Sequence, residues 1–153
     1  MPDDAQLHAW SALVAVYQSV LHDVVQALEG EAALDSGVFS ALAYLARAEP
    51  SGRLPLGALH DLMHPRYSQP GLSRLVQRME SAGLLERRSD PIDGRATLLA
   101  VTRRGRTCFR RAHAVYSAAV REHFLEHLEP CEQARLAADL GRVLVRRAET
   151  ARG

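Results

Sequence analysis

Apolar residues recur at helical spacing along the first thirty positions: Leu7, Trp10, Leu13, Val14, Tyr17, Leu21, Val24, Val25 and Leu28. A period near 3.6 held over that many turns predicts one long amphipathic helix at about 4–29. The pattern resumes at about 36–48 with Phe39, Leu42, Leu45 and Ala46, and Pro50-Ser51-Gly52 ends it. A shorter stretch at about 56–63 turns Leu56, Leu59, Leu62 and Met63 to one side. Pro65 biases His64 away from the helical region, so 64–67 is a turn. Ser68 is then a good N-cap, Pro70 fits the first turn of the next helix, and Gly83 supplies its stop after Ala82. Beyond Gly83 the period changes from 3.6 to 2. Leu84 to Arg88 reads as a strand, 89–95 as a loop with Asp93-Gly94 near its tip, and 96–101 as the returning strand. Two further helices, about 103–128 and 130–148, close the chain, the second opening on Pro130.

Two short helices joined by a tight turn and followed by a hairpin make a winged helix-turn-helix pattern. The expected fold is mainly α with a small β-hairpin (α+β), a single domain over 1–153. Its winged lobe would span 34–104, and the helices in 1–30 and 105–150 would form a dimerisation region. The apolar stripe of the first helix, with Phe109, Tyr116, Leu136, Leu140, Val143 and Leu144, exceeds what a small winged lobe can cover, which points to a homodimer.

The formal net charge is only +1, yet its distribution is uneven. From Arg66 to Arg111 there are eleven arginines against four carboxylates, whereas the rest of the chain holds eight against fourteen. A basic segment inside an acidic protein is the footprint of a polyanion-binding face. All 19 basic residues are arginine, a bias that fits GC-rich coding and does not by itself explain the clustering.

On the helix after the turn, Leu72, Leu75, Val76 and Met79 share one face. At 100° per residue Ser73, Arg74 and Gln77 lie opposite, with Arg78 beside them. Arginine can bind guanine through two parallel hydrogen bonds, glutamine adenine, and serine a base or a phosphate, so this face suits the major groove of duplex DNA. Ser68, Gln69 and Arg88 flank it. In the loop, Arg95 can reach a narrow minor groove while Asp93 holds the tip in shape.

These segments together resemble the MarR family of bacterial regulators. The resemblance runs through Phe39 to Leu45, Leu56 to Leu59, Ser68 to Arg88, Asp93-Gly94-Arg95 and Leu98 to Gly105. Its most specific stretch is the helix, the Gly83-Leu84-Leu85-Glu86-Arg87-Arg88 strand, the Asp-x-Arg wing and Thr102-x-x-Gly105 in that order. It implies a homodimer whose winged lobes read a pseudo-palindromic operator, with Asp93 and Arg95 as wing residues. It also implies a repressor released by a small aromatic or phenolic acid, for which Trp10, Phe39 and Tyr116 are the candidate contacts. The chain departs from the family pattern at Gly94, where many members carry a second arginine, and at Pro70-Gly71 in the first helical turn.

Other readings are narrower. Cys108 stands among Arg104, Arg106, Arg110 and Arg111, a cationic setting suited to a redox thiol, but peroxide-sensing relatives carry theirs in the first helix, where this chain has none. His123 and His127, four apart on one helical face, are a zinc candidate. A winged helix used for protein contacts is the alternative of another class. No phosphate loop, nucleophile-base set or closed metal motif is present, so no enzyme and no cofactor are expected. With no run of 18 apolar residues, an acidic start and two cysteines, the expectation is a cytoplasmic protein without a membrane partner.

Overall fold

The computed structural model describes residues 3–48, 53–89 and 97–150. Among them six α-helices, one 3-10 turn and three strands follow in the order α1 (Asp4–Gly30), α2 (Ser36–Arg47), β1 (Arg53–Pro55), α3 (Leu56–Met63), α4 (Gln69–Ser81), β2 (Leu85–Ser89), β3 (Thr97–Val101), α5 (Arg103–His123), the turn Leu125–His127 and α6 (Pro130–Thr150). These are the predicted helices together with a small antiparallel sheet, the elements of a winged helix.

The helix boundaries follow from local chemistry. Asp35 caps α2, its Oδ1 accepting from the backbone of Gly37 at 2.9 Å and Val38 at 3.1 Å. His64 takes an extended ψ of 144° ahead of Pro65 and closes α3. Ser68 caps α4 by accepting from Gly71 N at 3.3 Å. At its other end Gly83 adopts φ +69°, and the amides of Gly83 and Leu84 donate back to the carbonyls of Glu80 and Met79 at 2.9 Å each. That is a two-bond terminus which a residue with a Cβ would strain. The cap is worth about 1 kcal/mol. Leu72, Leu75, Val76 and Met79, each at most 1% exposed, contribute roughly 1.5–3 kcal/mol apiece. Burial therefore decides where α4 sits, and the caps decide where it ends.

The sheet has one strand more than the hairpin read from the sequence. Its order is β1-β3-β2, with Leu54 paired to Leu99 and Arg87 to Leu99 from the other side. Strand β1 is three residues long, and its Pro55 is tolerated because an edge strand leaves a backbone position unpaired. As the central strand, β3 is covered on both faces, and Leu98, Leu99, Ala100 and Val101 are all buried.

Helix α5 is shorter than expected, ending at His123 rather than near 128. Phe124 leaves the helical region at φ −139°. The Gln133 side-chain amide then donates to the carbonyls of Leu125 and Leu128, both at 3.0 Å, which holds the reversal into α6.

The chain divides into two compact units, one of residues up to Val24 with those from Ser117 onward, the other Val25–Tyr116. Nearly all buried hydrophobic side chains belong to the second unit; Val24 and Ala119 are the ones described in the first. Helix α6 buries none of its 21 residues. Among the described residues no helix is long and apolar enough to cross a membrane.

Candidate nucleic-acid interface

Helix α4 sorts its side chains as its sequence period requires. Leu72, Leu75, Val76 and Met79 face the core, and Gln69, Ser73, Arg74, Gln77 and Arg78 are exposed. Ser73 and Gln77 stand one turn apart, about 6 Å along the axis. Neither Arg74 nor Arg78 forms an ion pair with a described residue, so both guanidinium groups remain available to an outside acceptor. The Ser68 oxygen is engaged in the cap, which leaves its hydroxyl proton to donate. Beside this face lies a notch of about 460 Å³ lined by Gly57, His60, Gln69, Ser73 and Thr97.

The strands fix the wing to α4. Arg87 Nε donates to Glu80 Oε2 at 3.1 Å, tying β2 to the end of α4. Arg88 is half-exposed and paired with Glu86 at 2.8 Å through Nε, so its charge is partly neutralised before any phosphate arrives. Asp93, Gly94 and Arg95 lie outside the described residues.

Sequence reasoning named Thr102 and Gly105 without giving them a task, and their geometry supplies one. Thr102 Oγ1 donates toward the Gly83 carbonyl at 2.6 Å, lies 3.2 Å from that of Leu84, and accepts from Gly105 N at 3.0 Å. One hydroxyl thus caps α5 and fastens it to the turn that ends α4. Arg66 and Tyr67 do the corresponding work at the other end. Arg66 donates to Ser36 Oγ at 3.3 Å, and the Tyr67 ring occupies the space that Gly37 leaves by lacking a Cβ. The only sequence signals for these links were a glycine at 37 and a threonine three residues before a glycine.

The effector candidates divide between the two units. Phe39 is buried and stacks on Phe109 and Tyr116 with ring centroids 5.7 and 4.9 Å apart, while Tyr116 keeps 36% of its surface exposed. Trp10 belongs to the other unit and is 64% exposed. His123 and His127 do not share a helical face, because α5 ends between them. His123 Nδ1 instead stands 3.8 Å from Asp23 Oδ2. Among the described residues no group of three or more histidine, cysteine, aspartate or glutamate side chains could hold a metal. Cys108 is half-buried and Cys131 exposed, both as free thiols.

Residues 34–96 match the sequence model of the MarR family. No curated protein matches the chain by sequence. Among solved structures the chain is similar to AbsC, a MarR family transcriptional regulator from Streptomyces coelicolor. The identity is 25% over 100% of this chain and 98% of that one, with a TM-score of 0.81. A second MarR family regulator from Streptomyces coelicolor, solved in complex with DNA, is 22% identical over 95% and 92% of the two chains, with a TM-score of 0.78. The transcriptional regulator BldR from Sulfolobus solfataricus gives 22%, 95% and 99%, and 0.76. Members of the family are transcription regulators rather than enzymes. The chain thus matches the MarR family in sequence over its winged part and is similar in fold, over its whole length, to solved MarR family regulators.

Proposed function

We propose that the protein is a sequence-specific regulator that binds duplex DNA as a homodimer on a pseudo-palindromic operator and represses transcription. The observation that carries this reading is the exposed face of α4. Ser73, Arg74, Gln77 and Arg78 stand together without a carboxylate partner among the described residues, on a helix whose other face is locked into the core. A structurally similar family member solved with DNA supports it. In this reading Ser68, Gln69, Arg88 and the wing residue Arg95 contact the backbone or the minor groove, and Asp93 shapes the wing.

A mobility-shift titration against the DNA upstream of the protein's own coding region tests the function. Binding is expected to weaken steeply with salt, and Arg95→Ala to lower affinity evenly across sequences while reducing the salt slope by about one. Absent or salt-insensitive binding across all fragments would sink the reading in favour of a protein-contact module. The same titration with a phenolic acid added checks release. Tyr116, with its part-exposed ring, is the aromatic proposed to meet that ligand in the winged unit.

The dimer rests on the first unit's bare apolar faces. Trp10, Leu13 and Tyr17 of α1 are exposed, as are Val143, Leu144 and Val145 of α6, in a unit that buries little of its own. Apolar surface on that scale marks an interface, and a second copy of the same helices is the simplest self-complementary cover. Light scattering is expected to give twice the 16.8 kDa of one chain. Leu144→Glu should shift the mass to one chain at micromolar concentration; a wild-type monomer would refute the dimer.

A further inference from the structure

The winged unit carries a second concave surface, apart from the exposed face of α4. It is a cleft of about 810 Å³. Its floor is apolar, with Ala32 and Leu34 from the loop between α1 and α2, and Ala82 and Leu84 from the turn that ends α4. Its rim is one side of α5, where Arg103, Arg104, Thr107, Cys108 and Arg111 line the opening. Positions 104, 108 and 111 follow the i, i+4, i+7 spacing that brings side chains onto one helix face.

The arginines on this rim differ from their neighbours on the same helix. Arg106 donates to the Val101 carbonyl at 2.8 Å and Arg110 to Thr107 Oγ1 at 3.4 Å. Arg103, Arg104 and Arg111 have no hydrogen bond or ion pair with a described residue. Described carboxylates of the unit are engaged elsewhere: Glu80 with Arg87, Glu86 with Arg88, Asp61 with His60, and Asp35 as the cap of α2. No ion pair joins Glu29 or Glu31 to the three.

We propose that this cleft binds a small phosphate ester, its phosphoryl oxygens held by Arg103, Arg104 and Arg111 and its organic part lying on the apolar floor. Guanidinium forks match the paired oxygens of a phosphoryl group, and three of them match more than one negative charge. A monocarboxylate would leave two of the three unmatched. The cleft's size falls within the range of about 300–1,000 Å³ usual for small-molecule sites, and its mixture of apolar floor and few polar groups is their usual lining. The site is independent of the DNA reading, since none of its residues belongs to the exposed α4 face.

The two cysteines provide the test. Cys108 lines the cleft, and Cys131, exposed in the other unit, serves as an internal reference. The full-length protein is alkylated with iodoacetamide at constant ionic strength, and each cysteine is followed by peptide mass spectrometry. Phenyl phosphate at ten times its dissociation constant is expected to slow Cys108 about tenfold and leave Cys131 unchanged. Phenol, with the same ring and no phosphoryl group, should protect neither. The double variant Arg104→Gln, Arg111→Gln should lose the protection while keeping the wild-type melting temperature without ligand. Phenyl phosphate should raise the melting temperature of the wild type and not of this variant, a readout that does not depend on thiol reactivity. The proposal is overturned by an unmoved wild-type melting temperature, by equal slowing at both cysteines, or by protection that survives in the variant. Protection by duplex DNA where phenyl phosphate gives none would assign the arginines to DNA instead.

Discussion

Gly105→Ala is expected to destabilise the protein by about 3 kcal/mol, lowering Tm by roughly 6–12 °C for a chain of this length. A Cβ at this position would overlap the Leu84 carbonyl oxygen and stand 2.8 Å from Val101 Cγ1 and 2.9 Å from the Leu84 carbonyl carbon. Two of these neighbours are backbone, so no side chain can rotate away. The first turn of α5 must move off the turn that ends α4. That movement also pulls on the Thr102 hydroxyl, whose bonds to the Gly83 and Leu84 carbonyls and to Gly105 N join the two helices. Each such bond is worth about 1 kcal/mol net, and overpacking costs about 1–3 kcal/mol more. Gly57→Ala is the matched control. Nothing lies within 4 Å of a Cβ built there, in the first turn of α3 and away from the proposed dimer faces, so the same substitution should leave stability unchanged or raise it by about 0.5 kcal/mol. Thermal unfolding followed by circular dichroism compares the two. A Gly105→Ala protein that melts within about 2 °C of the wild type would show that the helix junction is not packed as described.

The same junction shows where sequence reading carries and where it stops. The amphipathic period of α4, its Ser68 start and its Gly83 end are local properties, written in residues that touch one another along the chain, and all three appear in the structure. The lock between Thr102 and Gly83 joins positions 19 apart, and nothing in either segment's own pattern announces the other. Strand β1 was not legible for a related reason. Three residues beside Pro50-Ser51-Gly52 are too few to display alternation, and what makes Arg53–Pro55 a strand is the edge of β3 that it meets. The end of α5 was misplaced because no glycine or proline stands between His123 and Pro130. The carbonyls after the break are met by Gln133, a residue of the next helix, which no local pattern announces. The histidine pair went with it, since a shared helical face needs an unbroken helix. On the α4 face the residues themselves were legible; the ion pairs beside it were not. Arg88 is engaged by Glu86 and Arg87 by Glu80, which leaves Arg74 and Arg78 as the arginines of α4 without a carboxylate partner among the described residues.

That distinction sets the largest expected effect on DNA binding. Arg74 lies on the exposed face between Ser73 and Gln77, where a guanidinium can bond O6 and N7 of one guanine at once. Losing such a contact costs about 1–3 kcal/mol, so Arg74→Ala should weaken operator binding about 5- to 150-fold. The loss should depend on sequence. Replacing the contacted base pair should cost the wild type about as much as the mutation does, and the variant almost nothing more, because the partner is already gone. Arg74→Lys separates charge from fork: a lysine keeps the attraction to phosphate but cannot reproduce the paired bonds, so it should recover non-specific affinity without recovering discrimination. Arg88→Ala should show the opposite profile, a small and even loss, because Glu86 already holds that guanidinium and its contact would be to backbone. The measurement is a matrix of dissociation constants at one fixed salt concentration, with the operator, its single-base variants and an unrelated duplex against each protein. If Arg74→Ala lowers affinity equally for every duplex in the matrix, Arg74 is a phosphate anchor, and reading of the bases must lie with Gln77, Arg78 and the wing.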